Sequence, residues 1–369
     1  MQEMEINSKE LLSNTISYLR FPLIVGVVFI HNNLGTVNIQ GTIVEFDQWP
    51  ILLYIMNFFS YTLAGISVPL FFFISGFLFF YNVEFDITVY KIKIKKRSRS
   101  LVVPYLIWNF VGFLILLIEL HPIFSSYFPL LKDYRVDIIS FLSYFWVSDL
   151  PISMSGPANP INTPLWFLRD LIVLIVFSPF IYWIIRRLRI VSILLLGLIW
   201  FLCLGEIVGF PGLCHQSIFF FPLGAYYSIR KINFVEQAYK MKWITYVYFV
   251  LAISDCVTVD EQYNAYIHKL GILVGMIAVV CMVSVMINKG RIHINKYISD
   301  ASFFIYALHN LFMGKITKIL FLIIPTLSPV IVLFCYFLIP FLTILFCLGL
   351  YKYLNKFFPS CAKVVTGGR

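Results

Sequence analysis

Apolar residues in this chain do not alternate with polar ones. They come in unbroken runs of about twenty, separated by short polar and often basic segments. A run of that length is what an α-helix needs to cross about 30 Å of hydrocarbon at 1.5 Å per residue. Ten runs are read, at about 17–35, 62–82, 101–120, 164–185, 190–210, 215–229, 243–258, 269–288, 298–321 and 328–350. Membrane β-strands would show segments of about ten residues with every second position polar, which these runs do not. The pattern predicts an all-α polytopic membrane protein of about ten transmembrane helices.

Two stretches depart from the simple pattern. Apolar residues extend over 51–82, interrupted by Gly65 and Pro69, which predicts a surface or re-entrant helix at 51–61 followed by a kinked span. The sixth run is short and holds Pro222 and Gly224. The longest connection, 121–163, carries an aromatic segment (FLSYFWVSDL) and a Gly/Pro/Asn-rich one (SGPANPINTP). It is too short for a separate domain and is expected to act as a lid, so residues 1–369 are read as one transmembrane domain. Residues 1–17 hold four charges and no small-residue cleavage site, so the first span is expected to be retained.

Composition removes the soluble alternative, with 60% hydrophobic and 12% charged residues and a mean hydropathy of +0.88. A soluble domain is about a quarter charged. The net charge of +10 does not indicate nucleic acid, because the basic residues are scattered through short loops. They fall instead on one set of loops, at Lys9, 91–99, 186–189, 230–242, 289–296 and 352–369, while the other set holds chiefly Lys132, Arg135 and Lys269. Basic loops stay cytoplasmic, which puts both termini inside and 121–163 outside. Cytoplasmic termini require an even number of spans, as counted. The seven cysteines show no CxxC spacing and indicate neither a zinc site nor a disulfide framework; a pairing of Cys214 with Cys256 is given little weight.

Ionisable groups within hydrocarbon are costly and mark candidate sites. Arg20 and His31 are eleven residues apart in the first span. Eleven steps of about 100° bring both to one helix face roughly 16 Å apart along the axis, where they can line one cavity. Taken alone, the pair is more simply read as a snorkelling arginine and a histidine filling a polar gap. Ser302, Tyr306 and His309 form a second stripe on the ninth span, placed to face the first. Six cations in KIKIKKRSRS precede the third span, first of all as a topology signal. Arg97 and Arg99, followed by Pro104 and Tyr105, are also placed to clamp the phosphates of a cytosolic cofactor. Ser75 and Gly76 break an aromatic wall, most simply for close helix packing. Arg169 and Asp170, being adjacent, point about 100° apart and are not expected to pair. Glu206 and Asp255 lie near outer span ends and are expected to be hydrated.

In order along the chain, these pieces resemble the acyltransferase-3 family of integral membrane acyltransferases. They are Arg20 and His31 in span one, FFFISGF in span two, KKRSRSLVVPYLIW entering span three, PLWFLRDL opening span four, FFFPLGAYYS in span six and SDASFFIYALH in span nine. The likeness covers nearly the whole chain. One departure is the spacing Arg97-Ser98-Arg99 where the family often reads R-x-x-R, which leaves the division of phosphate contacts among Lys96, Arg97 and Arg99 open.

The resemblance implies transfer of an acyl group, most often acetyl, from cytosolic acyl-CoA to a hydroxyl of a cell-envelope polysaccharide or lipid-linked glycan at a bacterial inner membrane. Under it, His31 is the base or, alternatively, the nucleophile that carries the acyl group. Arg20, Ser75 and Trp166 are candidate donors to the thioester oxygen. Lys96, Arg97, Arg99 and Tyr105 contact CoA, and Trp166, Arg169 and His309 the acceptor. No metal is called for, and the partners are membrane lipids and the glycan. The rival reading is a transporter of a polysaccharide intermediate or small amphiphile, lined by the same charges. The acceptor sugar, the acyl group and the oligomeric state are not written in any sequence feature.

Overall fold

The computed structural model describes residues 7–32, 34, 36–39, 42–45, 49–123, 136–148, 159–202, 211–324 and 328–368, and at 36–39 and 42–45 the backbone alone. The chain opens with helix α1 (Ser8–His31), then a small antiparallel hairpin of β1 (Thr36–Ile39) and β2 (Thr42–Glu45), with Val37 opposite Val44. Helix α2 (Pro50–Asn57) continues through a π turn (Phe58–Leu63) and a 3-10 turn (Ala64–Ile66) into α3 (Ser67–Phe80). Next come α4 (Ile87–Arg97), a second π turn (Ser98–Val102), α5 (Val103–Leu120), α6 (Ile138–Ser143) and a 3-10 turn (Thr163–Leu165) that leads into α7 (Trp166–Val176). The rest is α8 (Ser178–Leu188), α9 (Ile190–Phe201), α10 (His215–Ile229), α11 (Phe234–Lys240), α12 (Ile244–Val257), α13 (Asn264–Asn288), α14 (Lys296–Ile323), α15 (Pro329–Phe357) and α16 (Pro359–Val365).

Among the described residues, five helical runs are long and apolar enough to cross a membrane: Ser8–His31, Pro50–Phe80, Ile87–Leu120, Asn264–Asn288 and Pro329–Phe357. A sixth is added if Thr163–Val176 and Ser178–Leu188, bent by 65°, form one broken span. The helical, membrane-type fold is therefore established, whereas the count of ten spans and the side of the termini rest on the apolar runs and basic loops.

Three local readings are corrected. Residues 51–61 do not form a separate helix before the second span; Pro50–Phe80 is one helical run whose register is adjusted by the π and 3-10 turns around Gly65. The helix of the third span begins at Ile87 rather than 101, so its cations lie on the helix itself. The fourth apolar run is broken at Phe177, because Pro179 has no N–H to continue the ladder of α7 and starts α8 instead. Of the 121–163 connection, residues 124–135 and 149–158 lie outside the described residues, and so does Glu206.

The chain divides into two compact units, Met1–Asn82 with Leu223–Gly349, and Val83–Pro222 with Leu350–Arg369. In the first, α1 packs against α3, α11, α13 and α14. Side-chain caps fix where helices begin: Asn7 accepts from Lys9 N, and Asn295 accepts from Ile298 N. Glycines set the crossings. A methyl on Gly26 would overlap the Ser67 hydroxyl, and one on Gly224 would overlap the Phe73 carbonyl, so these helices meet at backbone distance. In the second unit, Trp200 of α9 is 2% exposed and stacks on Phe219 with ring centroids 5.4 Å apart. The Trp108 indole of α5 donates to the Val365 carbonyl at 2.9 Å, which ties α16 down.

Candidate functional site

The first unit contains a pair of imidazoles. His31 is the last residue of α1, and His309 lies in the middle of α14 with none of its surface exposed. Their ring centroids are 5.1 Å apart in an edge-on arrangement of 69°, so the two polar stripes expected to face each other do meet here. Both Nδ1 atoms lie beside main-chain carbonyls, His31 at 2.9 Å from Val27 O and His309 at 2.8 Å from Tyr306 O and 3.1 Å from Ile305 O. A carbonyl only accepts, so the proton of each neutral ring is assigned to Nδ1. His309 Nε2 is then an acceptor, and it stands 3.5 Å from His31 Nδ1, where it shares that proton at long range. The consequence is at the other nitrogen. His31 Nε2 keeps its lone pair, and among the described residues no hydrogen bond reaches it.

The surrounding bonds hold this end of α1 in place. Ser60, in the first π turn, donates to the Phe29 carbonyl at 2.7 Å and lies 2.6 Å from the Tyr336 hydroxyl. Asn32, 2% exposed, donates to the Tyr336 carbonyl at 2.7 Å. Ser299 of α14 donates to the Ser17 carbonyl at 3.1 Å and clamps the same two helices nearer their other ends. Arg20 is half-buried on α1, and among the described residues no hydrogen bond or ion pair engages its guanidinium. Ser75 is half-buried on α3.

The remaining sequence candidates belong to the second unit. Lys96 and Arg99 are exposed and Arg97 half-buried, at the end of α4 and in the π turn that follows. Tyr105 is 5% exposed and donates its hydroxyl to the Phe145 carbonyl. Trp166 is half-buried at the start of α7. Arg169 and Asp170, expected not to pair, do so. Both donors, Nε and Nη2 of Arg169, lie 3.2 Å from Asp170 Oδ1, because the long arginine side chain folds back over the helix turn. Arg169 also donates to the Trp146 carbonyl at 2.6 Å, and Asp170 accepts from Cys214 N at 2.8 Å. Cys214 and Cys256 are both free thiols.

Sequence reasoning missed a second cluster in the first unit. Asp255, expected to be hydrated, is 1% exposed and accepts from Thr62 Oγ1 at 2.7 Å, His268 Nδ1 at 2.9 Å and Asn264 Nδ2 at 3.0 Å. The one available signal was the i,i+4 spacing of Asn264 and His268, which puts both on one face of α13.

Apolar helices long enough for a bilayer, with a buried and a half-buried imidazole in contact among them, define a multi-pass membrane protein. The family model described as an acyltransferase domain matches residues 14–352, and the chain belongs to this acyltransferase-3 family. Among curated proteins it is similar to the succinoglycan biosynthesis protein ExoH of Rhizobium meliloti (strain 1021), 28% identical over 226 residues. The alignment takes in 60% of this chain and 55% of that protein, so the chain matches little more than half of the relative's length. No solved structure matches.

Proposed function

We propose that the protein transfers an acyl group, acetyl in the first instance, from acyl-CoA to a hydroxyl of an envelope polysaccharide or its lipid-linked precursor, in a bacterial inner membrane that it crosses ten times with both termini inside. The observation that carries this reading is the placement of His31 Nδ1 2.9 Å from the Val27 carbonyl, from which the proton is assigned to Nδ1 and the lone pair to Nε2. Family membership supports acyl transfer over the transport alternative, and the printed name of the relative supports a polysaccharide acceptor.

A sugar hydroxyl is a poor nucleophile until its proton is removed, and an imidazole is suited to the task near neutral pH. In the proposed step Nε2 of His31 takes that proton as the sugar oxygen bonds to the thioester carbonyl carbon. The carbonyl pair moves onto oxygen, where Arg20 and Ser75 are the candidate donors. As the carbonyl re-forms, the C–S bond breaks, and the imidazolium returns its proton to the departing CoA thiolate. The same free Nε2 would serve the nucleophilic alternative. Lys96, Arg97 and Arg99 are assigned to the phosphates of CoA, for which forked and point cations are both suited, and Trp166 and Arg169 to the acceptor side; His309, expected from the sequence to contact the acceptor, is assigned instead to holding the His31 ring.

The experiment is titration calorimetry of the purified protein with acetyl-CoA. Binding is expected, weakened at least about tenfold when Arg97 and Arg99 are both replaced by Ala, since each lost charged hydrogen bond is worth about 1.5–3 kcal/mol. A folded protein giving no heat with acetyl-CoA contradicts the CoA assignment and favours transport.

A further inference from the structure

The Asp255 cluster lies outside the chemistry assigned to His31, yet it has the marks of a site. A carboxylate and an imidazole within an apolar bundle are costly to desolvate, and two well-packed apolar residues would hold the helices at less expense. Asp255 spends its acceptors on Thr62, His268 and Asn264, three groups from the π turn and α13. Donation of Nδ1–H to the carboxylate fixes the His268 ring and leaves Nε2 as an acceptor, to which no hydrogen bond is made among the described residues. Gly65 preserves that edge, because a methyl there would stand 3.0 Å from Cε1 and 3.3 Å from Nε2. The ring also lies flat on Tyr61, with centroids 3.8 Å apart and planes 16° from parallel. One face of Tyr61 is thus covered by His268, while 38% of the residue remains exposed.

We propose that Tyr61 and His268 form a subsite for a sugar ring of the acceptor, separate from the ring whose hydroxyl reacts, with Asn264, its amide engaged by Asp255 and Thr258, fixing the carboxylate behind them. An exposed aromatic ring packs against the C–H face of a pyranose, and an oriented acceptor nitrogen beside it takes a hydroxyl at its rim. The carboxylate behind the imidazole disfavours a phosphate ligand and suits a neutral polyol. Its position fits the same occupant. Tyr61 and Thr62 follow Ser60 in a single π turn, and Ser60 fixes the Phe29 carbonyl two residues before His31. Residues 61 and 255–268 also lie at the span ends that the basic loops assign to the outer side. The inference rests on the proposed reading of a glycan acceptor.

The test is steady-state acyl transfer by the full-length protein in nanodiscs, with acetyl-CoA as donor and oligosaccharides from partially hydrolysed succinoglycan as the probe. Tyr61→Ala and His268→Gln are each expected to raise the acceptor KM about tenfold, leaving kcat and the acetyl-CoA KM within about twofold. Tyr61→Phe keeps the ring face and is expected to retain the wild-type KM, which also controls for folding. Transfer by the wild type with an acceptor KM unmoved in both variants overturns the subsite alone. A fall in kcat at unchanged KM in His268→Gln overturns it too, by placing the imidazole in the reaction. No transfer by the wild type to the probe removes the glycan reading and the subsite with it.

Discussion

An imidazole acts as a base only through the nitrogen that lacks a proton, and for His31 that nitrogen is chosen by its neighbours. Val27 O holds the Nδ1 proton on one side, and His309 Nε2 faces it on the other, its own proton fixed by Tyr306 O. His309 is therefore a positioning residue for His31. His309→Ala is expected to lower kcat on the order of tenfold, the equivalent of one lost hydrogen bond, with the acceptor KM little changed. Initial rates over a range of acceptor concentrations make the distinction; a variant altered only in KM would place His309 in acceptor binding instead. Both histidines were legible in the sequence, since an ionisable residue within an apolar run announces itself, and the seven-residue spacing of Ser302 and His309 gave the face. The tautomer was not legible, because it depends on carbonyls that any residue could supply. Asp255 was misread for a related reason: Thr62 comes from a distant part of the chain, and Asn264 and His268, nearer in sequence, look ordinary alone.

Helix irregularities do much of the placing. The first π turn widens the run from Pro50 to Phe80 where Ser60 reaches Phe29 and Thr62 reaches Asp255, and no sequence pattern marks a π turn. The break between α7 and α8 has a signal in Pro179, but an apolar run from 164 to 185 hides it. In the second unit, Arg169 and Asp170 bind α7 to the Trp146 carbonyl and to the start of α10 at Cys214 N. With exposures of 4% and 0%, the pair is costly to break from one side. Arg169→Met is expected to lower stability by about 3–5 kcal/mol, whereas the double change Arg169→Met/Asp170→Leu recovers much of it because no uncompensated charge remains. Thermal unfolding in detergent compares them. Equal losses in the single and double variants would show that the pair is not what holds these segments together.

For the molecule as a whole, length and hydrophobicity made the class readable at once, because a chain with this share of apolar residues has no soluble solution. Each of the ten apolar runs contains helix, yet among the described residues five helical runs, or six with the bent pair, have the length and apolarity of a crossing by themselves. Among the described residues, the runs 190–210 and 243–258 hold helices of 12 and 14 residues, shorter than a straight crossing needs. The proposed reaction rests on a membrane-held imidazole, His31, activating a glycan hydroxyl. The most direct measurement is mass spectrometry of the envelope polysaccharide from cells carrying either the wild-type protein or His31→Ala at equal membrane abundance. Acyl substituents present with the wild type and lost at least about a hundredfold with the variant are the predicted result. A polysaccharide that carries the same acyl load with both would contradict it.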